Sequence, residues 1–377
     1  MNAVIAGVYE HPLREIPDRS VAQIHTEVAL GALADAGLEL SDVDGYFCDS
    51  AAPGGLLGMA DHLGLHPTYL DSTETGGSSY LGHVGHAADA IAAGRCRVAL
   101  CTMAGRPHSL GRSNRTAPSP FGPFEDSWGV TATVHNYALV AMRHMAEFGT
   151  TAEQLAQVKV AASLHAQHNP NALLPRPVTV DDVLSSPMIS DPLHRLDCCV
   201  TTDGGGAVVV VAPDVARAIG REDVHVLGYA QALSRAGDLT TTAAAITGPA
   251  ALAEAGVTLA DVDYASIYDS FTITVIVTLE DLGFCAKGAG GRFVADGALL
   301  APYGRLPINT DGGGLCNNHP SGRGGMPKII EAVRQLRGAA AAAVRVPDCD
   351  IALVHGTGGR LGTRAGSATL ILGRSPR

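Results

Sequence analysis

The feature that most narrows what this chain can fold into is a long internal repeat, because a segment written twice implies a structural unit built twice. Ala32-Leu33-Ala34-Asp35-Ala36-Gly37-Leu38 runs through Leu40 to Asp42-Val43-Asp44, and Asp49-Ser50 follows. Ala251-Leu252-Ala253-Glu254-Ala255-Gly256-Val257 runs through Leu259 to Asp261-Val262-Asp263, and Asp269-Ser270 follows. Two further pairs keep the same order. Cys96-Arg97-Val98-Ala99-Leu100 before Ala104-Gly105 matches Cys349-Asp350-Ile351-Ala352-Leu353 before Thr357-Gly358, and each reads as a buried strand entering a glycine turn. Gly206 to Val211 and Gly366 to Leu372 then read as the last strand of each half.

The halves are residues 1–215 and 220–377. Each alternates strands with helices, and short, continuously apolar strands imply sheets covered on both faces. Two such halves stack as a five-layer α/β sandwich. The first half is longer because residues 106–198 have no counterpart in the second. This insertion begins with Pro107, Pro118, Pro120 and Pro123 and reads as a loop. Tyr137 to Phe148 and Glu153 to His168 then read as helices, so the insertion is expected to cap a site.

Charge and apolar content exclude several functions. A net charge of −11 argues against nucleic acid, which is bound through basic side chains that displace counterions. A small acidic ligand stays open, since local arginines and helix N-termini hold phosphates whatever the overall charge. No window approaches the roughly 18 consecutive apolar residues of a membrane span. Met1 to Glu10 lacks the basic-then-apolar order of a signal peptide, so a cytoplasmic protein without membrane association is expected. The eight cysteines form no Cys-x-x-Cys pair and Cys198 and Cys199 are adjacent, which predicts reduced, mostly buried thiols.

Five motifs follow one another with an order and spacing that agree with the repeat. They are Leu196-Asp197-Cys198-Cys199 with Thr202-Asp203-Gly204; Tyr268-Asp269-Ser270-Phe271; Pro307-Ile308-Asn309-Thr310 with Gly312-Gly313; Asn318-His319-Pro320; and His355-Gly356-Thr357-Gly358-Gly359. Through them nearly the whole chain resembles the thiolase superfamily, and within it the sterol-carrier-protein-x and lipid-transfer-type members. The resemblance implies a thiolase-like αβαβα sandwich of two repeated halves with the cap in the first. Two departures set the chain apart. Counting back from Gly94 places the family's nucleophilic cysteine at Gly77, and the sterol-carrier motif His-Asp-Cys-Phe is here Tyr268-Asp269-Ser270-Phe271. Both catalytic thiols are gone.

Glycine cannot form an acyl-enzyme, and Ser78 beside it would need an activating base. Ser78 reads otherwise as a helix-start residue satisfying backbone donors. What the resemblance retains is machinery for a thioester enolate. His319 matches the family histidine that donates to the thioester oxygen, and a fixed donor of that kind contributes about 3–4 kcal/mol. His355 matches the sterol-carrier histidine before the glycine turn, in an acid/base role or as a second oxyanion donor. Tyr268 stands where that family has its motif histidine. A phenol donates and accepts but, with a pKa of about 10, needs help to act as a base; otherwise Tyr268 is a strand-end aromatic of the core. Similar thiolase-like aldolases without the nucleophile also carry a tyrosine before this aspartate. Gly77, Ser78, Asp269, Asn309, Gly312, Gly313 and Gly358 are, by resemblance, the contacts to substrate and coenzyme A.

The resemblance therefore implies an acyl-CoA carbon–carbon lyase, a retro-aldolase cleaving a β-hydroxyacyl-CoA such as a steroid side-chain thioester, with aryl or polyketide-like thioesters open. Coenzyme A enters as part of the substrate, and no metal or other cofactor is expected. A homodimer is implied, together with a smaller OB-fold, zinc-ribbon partner completing a heterotetramer. Two alternatives stand: an acyltransferase or hydrolase using Ser78, and a non-catalytic acyl-CoA-binding subunit.

Other patterns carry less. Gly356 to Gly362 looks like a dinucleotide loop but leads into a strand where a Rossmann site needs a helix. His83 with His86 and His165 with His168 have ligand-compatible spacing without a carboxylate or thiol companion, so they read as ordinary surface or core histidines. Arg106, Arg112 and Arg115 could meet the phosphates of coenzyme A, or simply be solvated.

Overall fold

The computed structural model of the chain describes residues 3–111, 120–130, 132–234, 238–320, 324–362 and 364–376. Arg112, Arg115 and Pro118 lie outside the described residues. Eleven strands are formed: β1 (Ala3–Glu10), β2 (Gly45–Phe47), β3 (Tyr69–Asp71), β4 (Val98–Gly105), β5 (Met188–Ser190), β6 (Leu193–His194), β7 (Gly204–Val211), β8 (His225–Leu233), β9 (Tyr264–Ile267), β10 (Ile351–Arg360) and β11 (Arg364–Gly373), counted among the described residues.

The repeat is carried into the strand order. The first half runs β3-β2-β4-β7-β1, with β3, β2 and β4 parallel and β7 antiparallel to both its neighbours. The second half runs β9-β10-β11-β8 with the same directions, and Ile308, bridged in parallel to Ala265, stands where β3 stands in the first. Both repeat segments end their helix alike. Val21–Ala36 stops at Gly37 (φ 73°) and Ala244–Ala255 at Gly256 (φ 66°), the left-handed cap that glycine adopts without a Cβ penalty. A 3₁₀ turn follows each, Leu40–Asp42 and Leu259–Asp261.

Strand alternation sorts the core into layers. Val208 and Val210 of β7 face inward, where helices Ser79–Ala92 and Gly325–Leu336 touch strands of both halves. Ala207, Val209 and Val211 face the other way, against helix Val21–Ala36. In the second half Ile351, Leu353 and Ile371 face helices Ala244–Ala255 and Thr272–Leu282 and the cap. The order is thus helix, sheet, inner helices, sheet, helix, the expected five layers. One feature departs from two separate sheets: β1 pairs β8 through Ala3 with Val226 and Val4 with His225, so a seam at the pseudo-twofold makes one nine-stranded sheet.

The insertion does form a cap. Helices Thr133–Phe148 and Ala152–Ala166, the short helix Val180–Ser185 and the β5–β6 hairpin lie over the second half, and the chain returns by bridging Cys198 to Phe271. The run Gly356 to Arg360 is the end of β10 and turns into β11, so it is no dinucleotide loop.

Candidate active site

A cavity of about 490 Å³ opens where the cap, the start of helix Ser79–Ala92 and the strand ends of the second half meet. Gly76 and Gly77 reach it from the 3₁₀ turn that begins the inner helix, Tyr268 and Ser270 from the end of β9, Thr357 and Gly358 from β10, and His319 from the loop after the turn Gly313–Cys316. The cap adds Tyr137, Arg195, Cys198 and Cys199.

At its centre the phenolic oxygen of Tyr268 lies 2.8 Å from Nε2 of His319, the two rings meeting edge to face. Both side chains are almost fully buried. Burial, with Cys199 and Tyr137 nearby, pushes the Tyr268 phenol well above its usual value, so it rests protonated. Three glycines make room for the pair. A Cβ at Gly77 would lie 2.6 Å from Cζ of Tyr268 and 2.5 Å from the carbonyl oxygen of Thr357. A Cβ at Gly324 would lie 2.8 Å from Cδ2 of His319, and one at Gly314 3.2 Å from the same atom. Gly77 has no positive φ, so it is space and not backbone conformation that excludes a side chain there. The ring of Tyr268 fills the volume that a side chain at position 77 would need.

Of the ten residues the sequence assigns to the site, four line the cavity: Gly77, Tyr268, His319 and Gly358. The other six do not. His355 sits on β10 two residues from Leu353 and so shares its outward face, where Nδ1 bonds Thr369 Oγ1 at 2.9 Å and burial pulls its pKa down to about 3. Its Nε2 has no partner among the described residues. An acid/base or oxyanion role for His355 in direct contact with substrate does not fit this placement. The Ser78 hydroxyl donates to the Thr75 carbonyl at 2.9 Å, a turn contact that leaves it neither base nor access.

Of the remaining four, Asp269, Gly312 and Gly313 shape the turn leading to His319, and Asn309 holds the strand end before Tyr268. Asp269 pairs with Lys328 at 2.6 Å and accepts from the Gly314 amide at 2.8 Å. The Asn309 side chain, at φ 47°, accepts from the Ile267 amide and donates to the Ile267 carbonyl, both at 2.8 Å, and so fixes the backbone just before Tyr268. Gly312 (φ 96°) and Gly313 (φ 63°) supply the turn, and their Cβ positions are taken by Ala166 and Asp269.

The sequence reading missed the walls. Tyr137 stacks on Phe271 with centroids 4.3 Å apart, and burial raises its phenol to about 12 against the opposing effect of a hydrogen bond with Ser270. Cys199 donates its amide to the Ser270 carbonyl at 2.9 Å, which brings the Cys198-Cys199 motif onto the Ser270-Phe271 motif. Arg106 donates to the Pro17 carbonyl instead of facing the cavity. Among the described residues no group of three or more His, Cys, Asp or Glu could hold a metal ion, and no helix is long and apolar enough to cross a membrane.

Comparison with known proteins agrees with this architecture and divides on the reaction. The family described as Thiolase C-terminal domain-like matches residues 228–374. The acetyl-CoA acetyltransferase of Methanothermobacter thermautotrophicus is 34% identical over 97% of this chain and 98% of its own. The 17-hydroxy-3-oxo-4-pregnene-20-carboxyl-CoA lyase of Mycobacterium tuberculosis is 33% identical over 89% and 92%. The solved Ltp2-ChsH2(DUF35) aldolase superposes with a TM-score of 0.91 at 34% identity, covering 100% of this chain and 98% of that one. With matches of this extent and a site built on a glycine where a thiolase carries its nucleophile, the chain belongs to the thiolase superfamily, in its aldolase-like branch.

Proposed function

We propose that the protein is an acyl-CoA retro-aldolase that cleaves the Cα–Cβ bond of a β-hydroxyacyl-CoA, releasing a ketone or aldehyde and a shorter acyl-CoA. The observation that carries this reading is the Tyr268–His319 pair, with the Tyr268 ring occupying the space of the missing thiol. With Gly77 unable to attack, the acyl group stays on coenzyme A. The pair is then the proton-handling group of the cavity. Tyr268 takes the proton of the β-hydroxyl as its own passes to Nε2 of His319. The Cα–Cβ bond breaks, the β-carbon becomes a carbonyl, and the electron pair enters the thioester as an enolate. The imidazolium and backbone N–H groups near Gly358 oppose the enolate charge. Tyr268 then protonates Cα and recovers its proton from His319, so the pair ends as it began. No metal or redox step enters this sequence.

Lyase and aldolase relatives favour a steroid side-chain thioester as the substrate class. The DUF35 partner named with the solved aldolase supports a companion protein here, for which the family resemblance implies an OB fold and zinc ribbon. The exposed edge at β3 supports a homodimer beneath that heterotetramer.

The test is product analysis. The protein, alone and with a co-expressed DUF35 companion, is incubated with 17-hydroxy-3-oxo-4-pregnene-20-carboxyl-CoA and with 3-hydroxyoctanoyl-CoA. A carbonyl product and a shortened acyl-CoA in equal amounts, with no acyl-enzyme by mass spectrometry, is the expected result. A covalent acyl adduct, or binding without cleavage of either compound, overturns the reading.

A further inference from the structure

The loop carrying His319 is gripped from behind by the other half of the molecule. Arg14, just past β1, is buried, and all five of its N–H donors are used. Nε donates to the carbonyl oxygen of Asn317 at 3.2 Å and to its Oδ1 at 3.1 Å, and Nη2 donates to that Oδ1 at 2.8 Å. Nη2 also meets Glu10 Oε1 at 2.8 Å, while Nη1 closes onto the carbonyls of His11 and Leu13 at 2.6 and 3.3 Å. Glu10 in turn accepts from Asn318 Nδ2 at 2.9 Å and from Arg334 at 3.1 Å. Two residues of the N-terminal segment thus hold both residues that precede His319.

The grip continues to the histidine itself. Thr202 Oγ1 donates to Asn318 Oδ1 at 2.7 Å and accepts from the His319 amide at 2.9 Å. Its neighbour Asp203 donates its amide to the Arg14 carbonyl at 2.8 Å and accepts from the Ile16 amide at 2.8 Å, which fixes the Arg14 segment in the same cluster. Burial pushes the Glu10 carboxyl up, but Arg14, Arg334 and Asn318 bring it below the usual carboxylate range, so the cluster holds an ionised acid. A buried guanidinium is expensive unless every donor is matched, and a hydrophobic filler would serve a purely structural purpose as well. What a hydrophobic residue could not do is hold a main-chain oxygen and an amide side chain in one plane, two residues before the imidazole.

We propose that Arg14, anchored by Glu10, is a positioning residue for His319: by fixing Asn317, while it holds the Glu10 carboxylate that fixes Asn318, it keeps Nε2 within reach of the Tyr268 hydroxyl. The inference rests on the functional reading above, in which His319 takes part in the reaction. Misplacement by about 1 Å costs on the order of 100-fold in rate, so a looser grip is read in kcat and not in binding.

The test is a cycle of four proteins, wild type, Arg14→Lys, His319→Ala and the double variant, assayed with whichever of the two thioesters above is cleaved faster. Lysine keeps the charge and loses the fork. Arg14→Lys is expected to lower kcat by about 10- to 100-fold with KM within about twofold, and to change the residual rate less than about twofold when His319 is already alanine. Equal losses in both backgrounds overturn the proposal, because they mark a general structural effect. A second measurement needs no turnover and separates this failure from failure of the functional reading. In protein labelled with ¹⁵N-histidine, Arg14→Lys should move the His319 imidazole resonances and leave those of His144 in place. Unmoved His319 resonances overturn the proposal even if cleavage is confirmed. If Arg14→Lys does not fold, Glu10→Gln enters the same cycle and spectra, with the same outcomes deciding.

Discussion

The two repeated strand ends use the same carboxylate in different company. In the first half Asp49 accepts from the hydroxyl of Tyr80, near the start of one inner helix, and from the Ala51 amide at 2.9 Å. In the second half Asp269 faces the ammonium of Lys328 from the other inner helix and holds the turn leading to His319. The residue before each carboxylate shows what duplication left free to change. Cys48 is buried in the core, with burial pushing its thiol up to about 12, whereas Tyr268 faces the cavity. Both halves supply the scaffold; only the second supplies the Tyr268–His319 pair, and that pair sits against a helix start contributed by the first.

The largest difference between the halves should appear in stability. Asp269→Ala strands a buried ammonium and is expected to cost about 3–5 kcal/mol. Asp49→Ala removes the acceptor of a neutral hydroxyl and is expected to cost about 1–3 kcal/mol. Urea unfolding of the two variants checks the order. Equal costs would mean that the Lys328 charge finds water or another partner, and the contrast would fail.

A smaller but more specific effect concerns rate. His319→Ala and Tyr268→Phe are each expected to lower kcat by about 100-fold, roughly 3 kcal/mol of barrier, with KM little changed. Cys48→Ala, at the matching place in the first half, is expected to change kcat less than about twofold. Full activity of Tyr268→Phe would make Tyr268 a packing residue like its counterpart and erase the asymmetry.

Much of this contrast was legible in the sequence. The repeat paired the two segments and their strand ends, and the motif count put glycine where a nucleophile would stand. Three things were hidden. His355 lies close in sequence to the cavity-lining Thr357 and Gly358, but it is set back along β10, buried and bonded to Thr369, and only Leu353 two residues before it carried that signal. Asn309, Gly312 and Gly313 sit in family motifs, yet their positive φ values mark turns and none of the three lines the cavity. The third is long-range register, since neither the two-residue seam between β1 and β8 nor Arg14 reaching Asn317 leaves any local pattern.

The outward placement of His355 sharpens the comparison through pH. Its unfolded pKa is about 6.5, whereas burial holds the folded value near 3. Above pH 6.5 the ring is neutral in both states and its contribution to stability is fully present. As pH falls below that, the unfolded chain takes a proton the folded chain refuses, and stability declines by about 1.4 kcal/mol per pH unit until pH approaches 3. His165, drawn down to about 4 by burial, adds a similar loss over a narrower window. Urea midpoints at pH 7 and pH 5 should therefore converge in His355→Asn relative to wild type. An unchanged difference would place a charged or hydrated imidazole at this position and reopen its link to the cavity.

The smallest effect tests whether the scaffold is as symmetric as its sequence. Gly37 and Gly256 close the two repeated helices with φ of 73° and 66°, and a Cβ at either would meet nothing within 4 Å. Alanine at these positions therefore pays only for the left-handed backbone, about 1–2 kcal/mol, partly offset by a stiffer unfolded chain. Gly37→Ala and Gly256→Ala are expected to cost about 1 kcal/mol each, equal within about 0.5, and to add in the double variant because the two caps share no contacts. Addition in a single transition is required by the β1–β8 seam and the inner helices, which touch strands of both halves. If Gly37→Ala shifts one unfolding step and Gly256→Ala another, the halves melt separately. The site that spans them would then be assembled from two units held together more loosely than their shared core implies.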